Sequence, residues 1–276
     1  MDFRNGSEME DNYRFNSHNY FSGYNLNVRK KSVLNRAKEI YINEGLFNLS
    51  LRSMKAFLRF IGKKIMRKLI IPVSFLLLHK HFKIENLKYR YFVNKNNSVY
   101  TERVVEIPYI IKFLNLQTDE NLLEVGNVLS KYLKMSHTIL DKYEIGENII
   151  NEDAVNYNPG KKFSNIVSIS TFEHIGFDEP IREYGKMTEA LLNIIGLLEE
   201  NGRLVITVPL GYNPEVDDLI RSHRINFSKT HFLKRFSRLN LWKETSMDDA
   251  LRFKYGSKYP AANAIAILVY QKIPTV

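Results

Sequence analysis

Cysteine is absent from the 276 residues, which excludes a disulfide framework and any thiolate metal site. The seven histidines offer no substitute: His79 and His81 stand two apart, His137 and His174 are isolated, and none has zinc-finger or HExxH spacing. No metal is expected. Long apolar runs are missing too. The longest, "LIIPVSFLLL" at 69–78, is broken by Pro72 and Ser74, whereas a bilayer crossing needs about 20 residues. The opening "MDFRNGSEMEDNYRF" lacks the apolar centre of a secretory leader. The expected location is therefore cytoplasmic, peripheral at most on the inner face of the membrane. Glycine is scarce where a nucleotide-binding turn would want it. "LLEVGNVLS" at 122–130 carries only Gly126, so Val128 and Leu129 would crowd a pyrophosphate laid on a GxGxxG turn.

Between Glu44 and Glu85 there is no carboxylate. The net charge of +10 is accordingly lopsided. Residues 1–100 hold 19 Lys and Arg against 7 Asp and Glu, and residues 101–276 hold 21 against 23. Three segments follow. Residues 1–27, rich in Asn, Ser, Gly and Tyr without periodicity, read as a disordered tail. Residues 28–100 read as a basic helical extension. There, Leu34, Ala37, Ile40 and Tyr41 share one helical side, and Leu51, Met54, Leu58, Ile61, Ile65 and Leu69 recur at three- and four-residue steps with Lys and Arg opposite. "YRYFVNKNN" (89–97) alternates like an edge strand and then turns. A basic amphipathic segment at 51–83 fits an anionic membrane surface or a membrane enzyme. No nucleic-acid motif accompanies the charge, so nucleic acid is not the expected partner.

From Thr101 onward strands and helices alternate, as in a parallel sheet with helices on both faces. "ERVVEIPYIIKFL" predicts a helix on the sheet with Pro108 as a kink. "NLLEVG", "HTILDKY", "NIINED", "FSNIVSIS", "RLVITVPLG", "LWKETS" and "AIAILVYQKI" predict seven strands. "VLSKYL" predicts a short helix, and "YGKMTEALLNIIGLLEEN" a long one stopped by Gly202. Ligands in such sheets sit at the carboxyl ends of the strands near the switch in strand order. Carboxylates stand at three of those ends: Glu124 beside Gly126 and Asn127, Asp141 with Glu144, and Asp153. The fourth end is Ser170-Thr171-Phe172-Glu173-His174.

These motifs, in this order, resemble the class I S-adenosylmethionine-dependent methyltransferases across residues 101–276. "LLEVG" resembles their first motif, "TILDKYE" the second, "NEDAVNY" the third and "FSNIVSISTFEHIG" the LEHV-type fourth. More narrowly, "LEVGNVLS", "DKYE", "INED", "SISTFEHIGFDE" and "VPLGYNP" resemble a group of microbial methyltransferase-like proteins associated with surface-polysaccharide genes. The resemblance implies a Rossmann-like, mostly parallel seven-stranded sheet with an antiparallel last strand, and S-adenosylmethionine as cofactor.

Carried onto this sequence, Asp141 would accept both ribose hydroxyls, with Glu144 as competitor, and Asp153 would accept from the adenine amine. Gly126 would let the backbone approach the methionine tail, and Glu124 would meet its ammonium. Tyr143 and Phe172 would face the sulfonium. Asn127 and Ser170 complete the cofactor-binding set. His174 and Glu173 are candidate bases, with Tyr212 and Asp217 behind them, and "GYNP" would shape the acceptor pocket. The expected reaction is SN2 methyl transfer, for instance to a hydroxyl of a sugar or lipid-linked glycan. The alternative is a non-catalytic module docking on a membrane glycosylation complex.

Overall fold

The computed structural model describes residues 53–62, 80–93, 100–114 and 121–274. The expectations for 1–27, for the helix at 32–43, for the run at 69–78 and for the turn at 94–97 lie outside them. The chain divides into two compact units between Ile61 and Gly62. In the first, the described residues form a helix, as the spacing predicts, and Met54, Phe57, Leu58 and Phe60 are exposed on it. No helix among the described residues is long and apolar enough to cross a membrane.

The second unit is built on a sheet of eight strands. They are β3 (Leu122–Val125), β4 (Thr138–Leu140), β5 (Ile149–Ile150), β6 (Phe163–Ile169), β7 (Leu198–Pro209), β8 (Lys229–Arg235), β9 (Trp242–Thr245) and β10 (Ala264–Gln271), in the order β5-β4-β3-β6-β7-β10-β8-β9. β5, β4, β3, β6 and β7 run parallel; β10 is antiparallel to both β7 and β8, and β9 to β8. This is the Rossmann-like sheet of the class I methyltransferase fold, with an added edge strand.

Period-two alternation sorts the strands between two apolar layers. On β10, Ala264, Ala266 and Leu268 enter one core cluster, while Ile265, Ile267 and Val269 enter the other. On β7, Leu204, Ile206 and Val208 oppose Val205 in the same way. The first layer is roofed by the helices Lys186–Gly196 and Pro214–Arg221, the second by the helix Arg103–Leu114, which carries Pro108 inside it. Each fully buried aliphatic side chain in these layers contributes about 1.5–3 kcal/mol.

Several elements differ from the sequence-based expectation. β8, "KTHFLKR", was not anticipated, because its four basic residues mask the inward Phe232 and Leu233; the sheet therefore has eight strands. Of the segment expected to form an edge strand, Tyr89 and Arg90 lie in a strand outside the main sheet, and Tyr91–Val93 in none. Instead β1 (His81–Ile84) and β2 (Leu87–Arg90) make a separate antiparallel pair. Its Phe82 stacks on Tyr89 at 5.3 Å and lies 5.0 Å from Tyr91. The Tyr91 hydroxyl accepts from the Trp242 amide at 2.9 Å, which pins the pair beside β9.

The helix expected to run to Gly202 ends at Gly196 with Leu197 as its cap, and the chain enters β7 at Leu198. Gly202 works inside an irregularity of the β6–β7 pairing. A Cβ there would lie 2.8 Å from the Glu199 carbonyl and 3.1 Å from that of Phe163. "VLSKYL" yields only a 3-10 turn at Leu129–Lys131, and "NIINED" pairs at only two residues.

Candidate functional site at the β3–β6 switch

The strand order reverses between β3 and β6, so a ligand crevice belongs at their carboxyl ends. β3 delivers Glu124 into the interior, where it is 0% exposed. Its Oε1 accepts from the amides of Val128 (2.7 Å) and Leu129 (2.6 Å), and its Oε2 lies 2.7 Å from His137 Nε2. Both oxygens are thus spent on holding the turn. An ammonium expected at Glu124, directly or through water, would have to share these oxygens with the turn. Gly126, at φ +87°, donates its amide to the Leu140 carbonyl at 2.8 Å. A Cβ on it would lie 2.1 Å from Thr171 Oγ1. Glycine is needed there for the positive φ and for the approach of Thr171. Asn127 donates to Glu144 Oε1 at 2.8 Å and accepts from the Ser130 hydroxyl, tying the turn to the next loop.

Asp141 ends β4. Its Oδ1 accepts from the amides of Tyr143 (2.9 Å) and Glu144 (2.8 Å), and Asn151 Nδ2 holds its carbonyl at 2.8 Å. Its Oδ2 has no hydrogen bond among the described residues. Glu144, the competitor, has both oxygens taken, by Asn127 and by Lys131 (2.8 Å each). Asp141 is the one with a carboxylate oxygen to offer. Tyr143 is exposed, with Lys142 Nζ 5.1 Å from its ring centroid. Phe172 is 1% exposed and packs in the apolar core.

Asp153 sits in an ion-pair network: Lys142 Nζ at 2.9 Å and Lys186 Nζ at 3.2 Å both reach its Oδ2. Glu179 shares the same two lysines, at 3.3 and 2.7 Å. Partial burial would raise the Asp153 carboxyl, but hydrogen bonds from Lys142, the Val155 amide and Lys186 bring it below its ordinary range. An adenine amine would have to share Asp153 with those lysines and with the Val155 amide on Oδ1, partners that its motif does not announce.

The end of β6 gathers a second group. Ser170 adopts φ +43° and donates its hydroxyl to Glu106 Oε1 at 2.8 Å, so it faces the helix Arg103–Leu114. Glu106 is 0% exposed and also pairs with Arg103. Glu173 is 1% exposed; its Oε1 lies 3.5 Å from His174 Nε2 and its Oε2 bonds to nothing. Burial pushes its carboxyl up to about 8, against the pull of His174 and Arg103 and with Glu106 adding to the rise. His174 pairs with Asp178, which also accepts from the Tyr212 hydroxyl at 2.6 Å. Burial lowers the His174 value, but Glu173 and Asp178 outweigh it and the net shift is upward.

Tyr212 is raised by burial and by the Asp178 bond, which makes it a donor and a poor base. Asp217 is pushed to about 6 by burial, and both its oxygens accept from the Gly211 amide at 3.1 Å, holding the "GYNP" turn. Arg103 and Glu106 were not singled out in the sequence. Their signal was available: charged residues inside the apolar periodicity of a helix, where solvation alone would not place them. No group of three or more His, Asp or Glu among the described residues could hold a metal ion.

No protein-family model matches the chain, and no curated protein does. Among solved structures it is similar to the N-methyltransferase NodS of Bradyrhizobium japonicum WM9 in complex with S-adenosyl-L-homocysteine. The identity is 12%, covering 59% of this chain and 83% of that one, with a TM-score of 0.38. It is similar to a SAM-dependent methyltransferase of Archaeoglobus fulgidus at 16% identity, covering 59% and 92%, with a TM-score of 0.38. It is also similar to an rRNA methylase of Streptococcus thermophilus at 13%, covering 60% and 96%, with a TM-score of 0.37. The fold assignment rests on this chain's own strand order.

Proposed function

We propose that this protein is an S-adenosylmethionine-dependent methyltransferase, with residues 101–276 as the catalytic domain. One observation carries the reading: Asp141, at the end of β4 beside the strand-order switch, is held by two backbone amides through one oxygen and keeps the other open. A ribose diol offers two donors to such a group. Asp153 lies one strand end further on and would be shared between the adenine amine and its lysines. The bound sulfonium would supply the methyl group. The chain's own residues would orient the acceptor and move its proton, and positioning is the largest contribution to such a displacement.

Calorimetry with S-adenosylmethionine and S-adenosylhomocysteine tests this. Both should bind, and Asp141→Ala should weaken both by at least about tenfold, or about 1.4 kcal/mol. Folded protein that binds neither has the alternative function, a non-catalytic module. That alternative is favoured by the Thr171 side chain against Gly126 and by the lysines on Asp153.

The acceptor we propose is a sugar or lipid-linked glycan at an anionic membrane surface, the basic segment at 51–83 providing attachment. The exposed Met54, Phe57 and Leu58 beside Lys55 and Arg59 support it. Because β1 begins at His81 and buries Phe82 and Ile84, attachment is better tested by substitution than by deleting the segment. Flotation with phosphatidylserine vesicles should fall with salt and be lost in Lys55→Glu/Phe57→Ser. Unchanged flotation of that variant would remove the helix at 53–62 from the account.

A further inference from the structure

Glu173 is a buried carboxyl group whose Oε2 lacks any partner, at the end of the strand that borders the crevice. The charges around it already have partners. From the helix Arg103–Leu114, Arg103 is engaged by Glu106, and Glu106 also accepts from Ser170. On its own loop, His174 is engaged by Asp178, which accepts from Tyr212 in the loop after β7. Tyr255, before β10, packs edge-on against Tyr212 at 5.0 Å and interacts electrostatically with Glu173. The neighbouring cations and anions face one another, so a charged acceptor group would have to compete with an existing ion pair. What remains is one buried carboxyl oxygen with no hydrogen-bond partner.

We infer that Glu173 is the proton acceptor of this site and that it serves an uncharged hydroxyl group. The inference rests on the methyl-donor reading above. Glu173 Oε2 takes the hydroxyl proton as the oxygen forms its bond to the methyl carbon. The methyl–sulfur bond breaks and its electron pair stays on sulfur. Ser170, Glu106 and Arg103 are positioning residues, engaging one another beside Glu173. Because burial keeps the carboxyl protonated up to about pH 8, Glu173 is not a base at rest near neutral pH. A positive charge entering the crevice favours its ionised form, so the base is generated when the donor binds.

Proton counting tests this without turnover. The full chain is titrated calorimetrically near pH 7.5 with S-adenosylmethionine and with the uncharged sulfide S-adenosylhomocysteine, in phosphate and in Tris, whose ionisation enthalpies differ. The sulfonium should release more protons than the sulfide. Glu173→Gln should bind both and abolish the difference, and His174→Asn should retain it. Equal proton counts in the unsubstituted protein overturn the inference, as does a difference that survives in Glu173→Gln and vanishes in His174→Asn. Failure to bind either ligand sinks the methyl-donor reading itself.

The acceptor class is read with methyl-labelled donor and three probes: methyl glucoside, glucosamine and glucuronate. Label on a hydroxyl oxygen of the glucoside supports the assignment. Label only on the glucosamine nitrogen or the glucuronate carboxylate overturns it. So does label on none of the three by protein that binds the donor.

Discussion

Glu173→Gln makes the protein more stable at pH 9 than the unsubstituted chain, and much less so at pH 5. The carboxyl is buried and unpartnered, and its value rises from an ordinary 4.5 to about 8 on folding. The folded state therefore binds more protons than the unfolded one across that window, and stability falls with increasing pH. What the protonated group contributes is fully present below about pH 4.5 and is lost as the pH passes 8. Above that, the folded state must hold a buried anion, a penalty of up to a few kcal/mol at 1.36 kcal/mol per pH unit. Glutamine occupies the same volume and never ionises. Thermal unfolding of the two proteins at both pH values reads the effect directly, at roughly 2–4 °C per kcal/mol for a chain of this size. An unchanged gap between them at pH 5 and pH 9 would show that the carboxyl already titrates like a solvated one.

Glu124→Ala lowers stability by about 3–5 kcal/mol, because it leaves several buried groups unsatisfied at about 1–3 kcal/mol each. The substitution strands the amides of Val128 and Leu129 and the His137 ring in the interior, where Glu124 is 0% exposed. Urea unfolding should show a lower midpoint with the slope unchanged. If the variant is as stable as the parent yet binds S-adenosylmethionine less well, Glu124 serves the ligand and its place in the turn is incidental.

Much of the sheet could be read directly from the amino acids, because its strands are dense apolar runs bounded by turn residues. "AIAILVYQ" is apolar on both faces and lies between β7 and β8, as its composition demands. β8 escaped because half of its residues are charged and its inward positions are few. The candidate site was legible only where a residue's place at a strand end is enough to single it out, as for Asp141. It was illegible where the role is set by a partner far along the chain. Ser170 looked like a cofactor residue until Glu106, 64 positions earlier, was found to take its hydroxyl. Asp153 looked free because nothing near it in sequence foretells Lys186. Glu124 sits in a motif that invites a ligand role, and only three-dimensional packing shows both its oxygens consumed.

The contact between Gly126 and Thr171 also bears on what can stand at 126. Two loops from different strands interlock through an absent side chain on one and a hydroxyl on the other, at a spacing that leaves no slack. Position 126 cannot gain a side chain while threonine stands at 171. A larger residue at 126 would need a smaller one at 171, and would still inherit a backbone angle that only glycine takes without strain. Position 126 is therefore constrained twice, by its neighbour and by its own backbone, and relieving one constraint leaves the other.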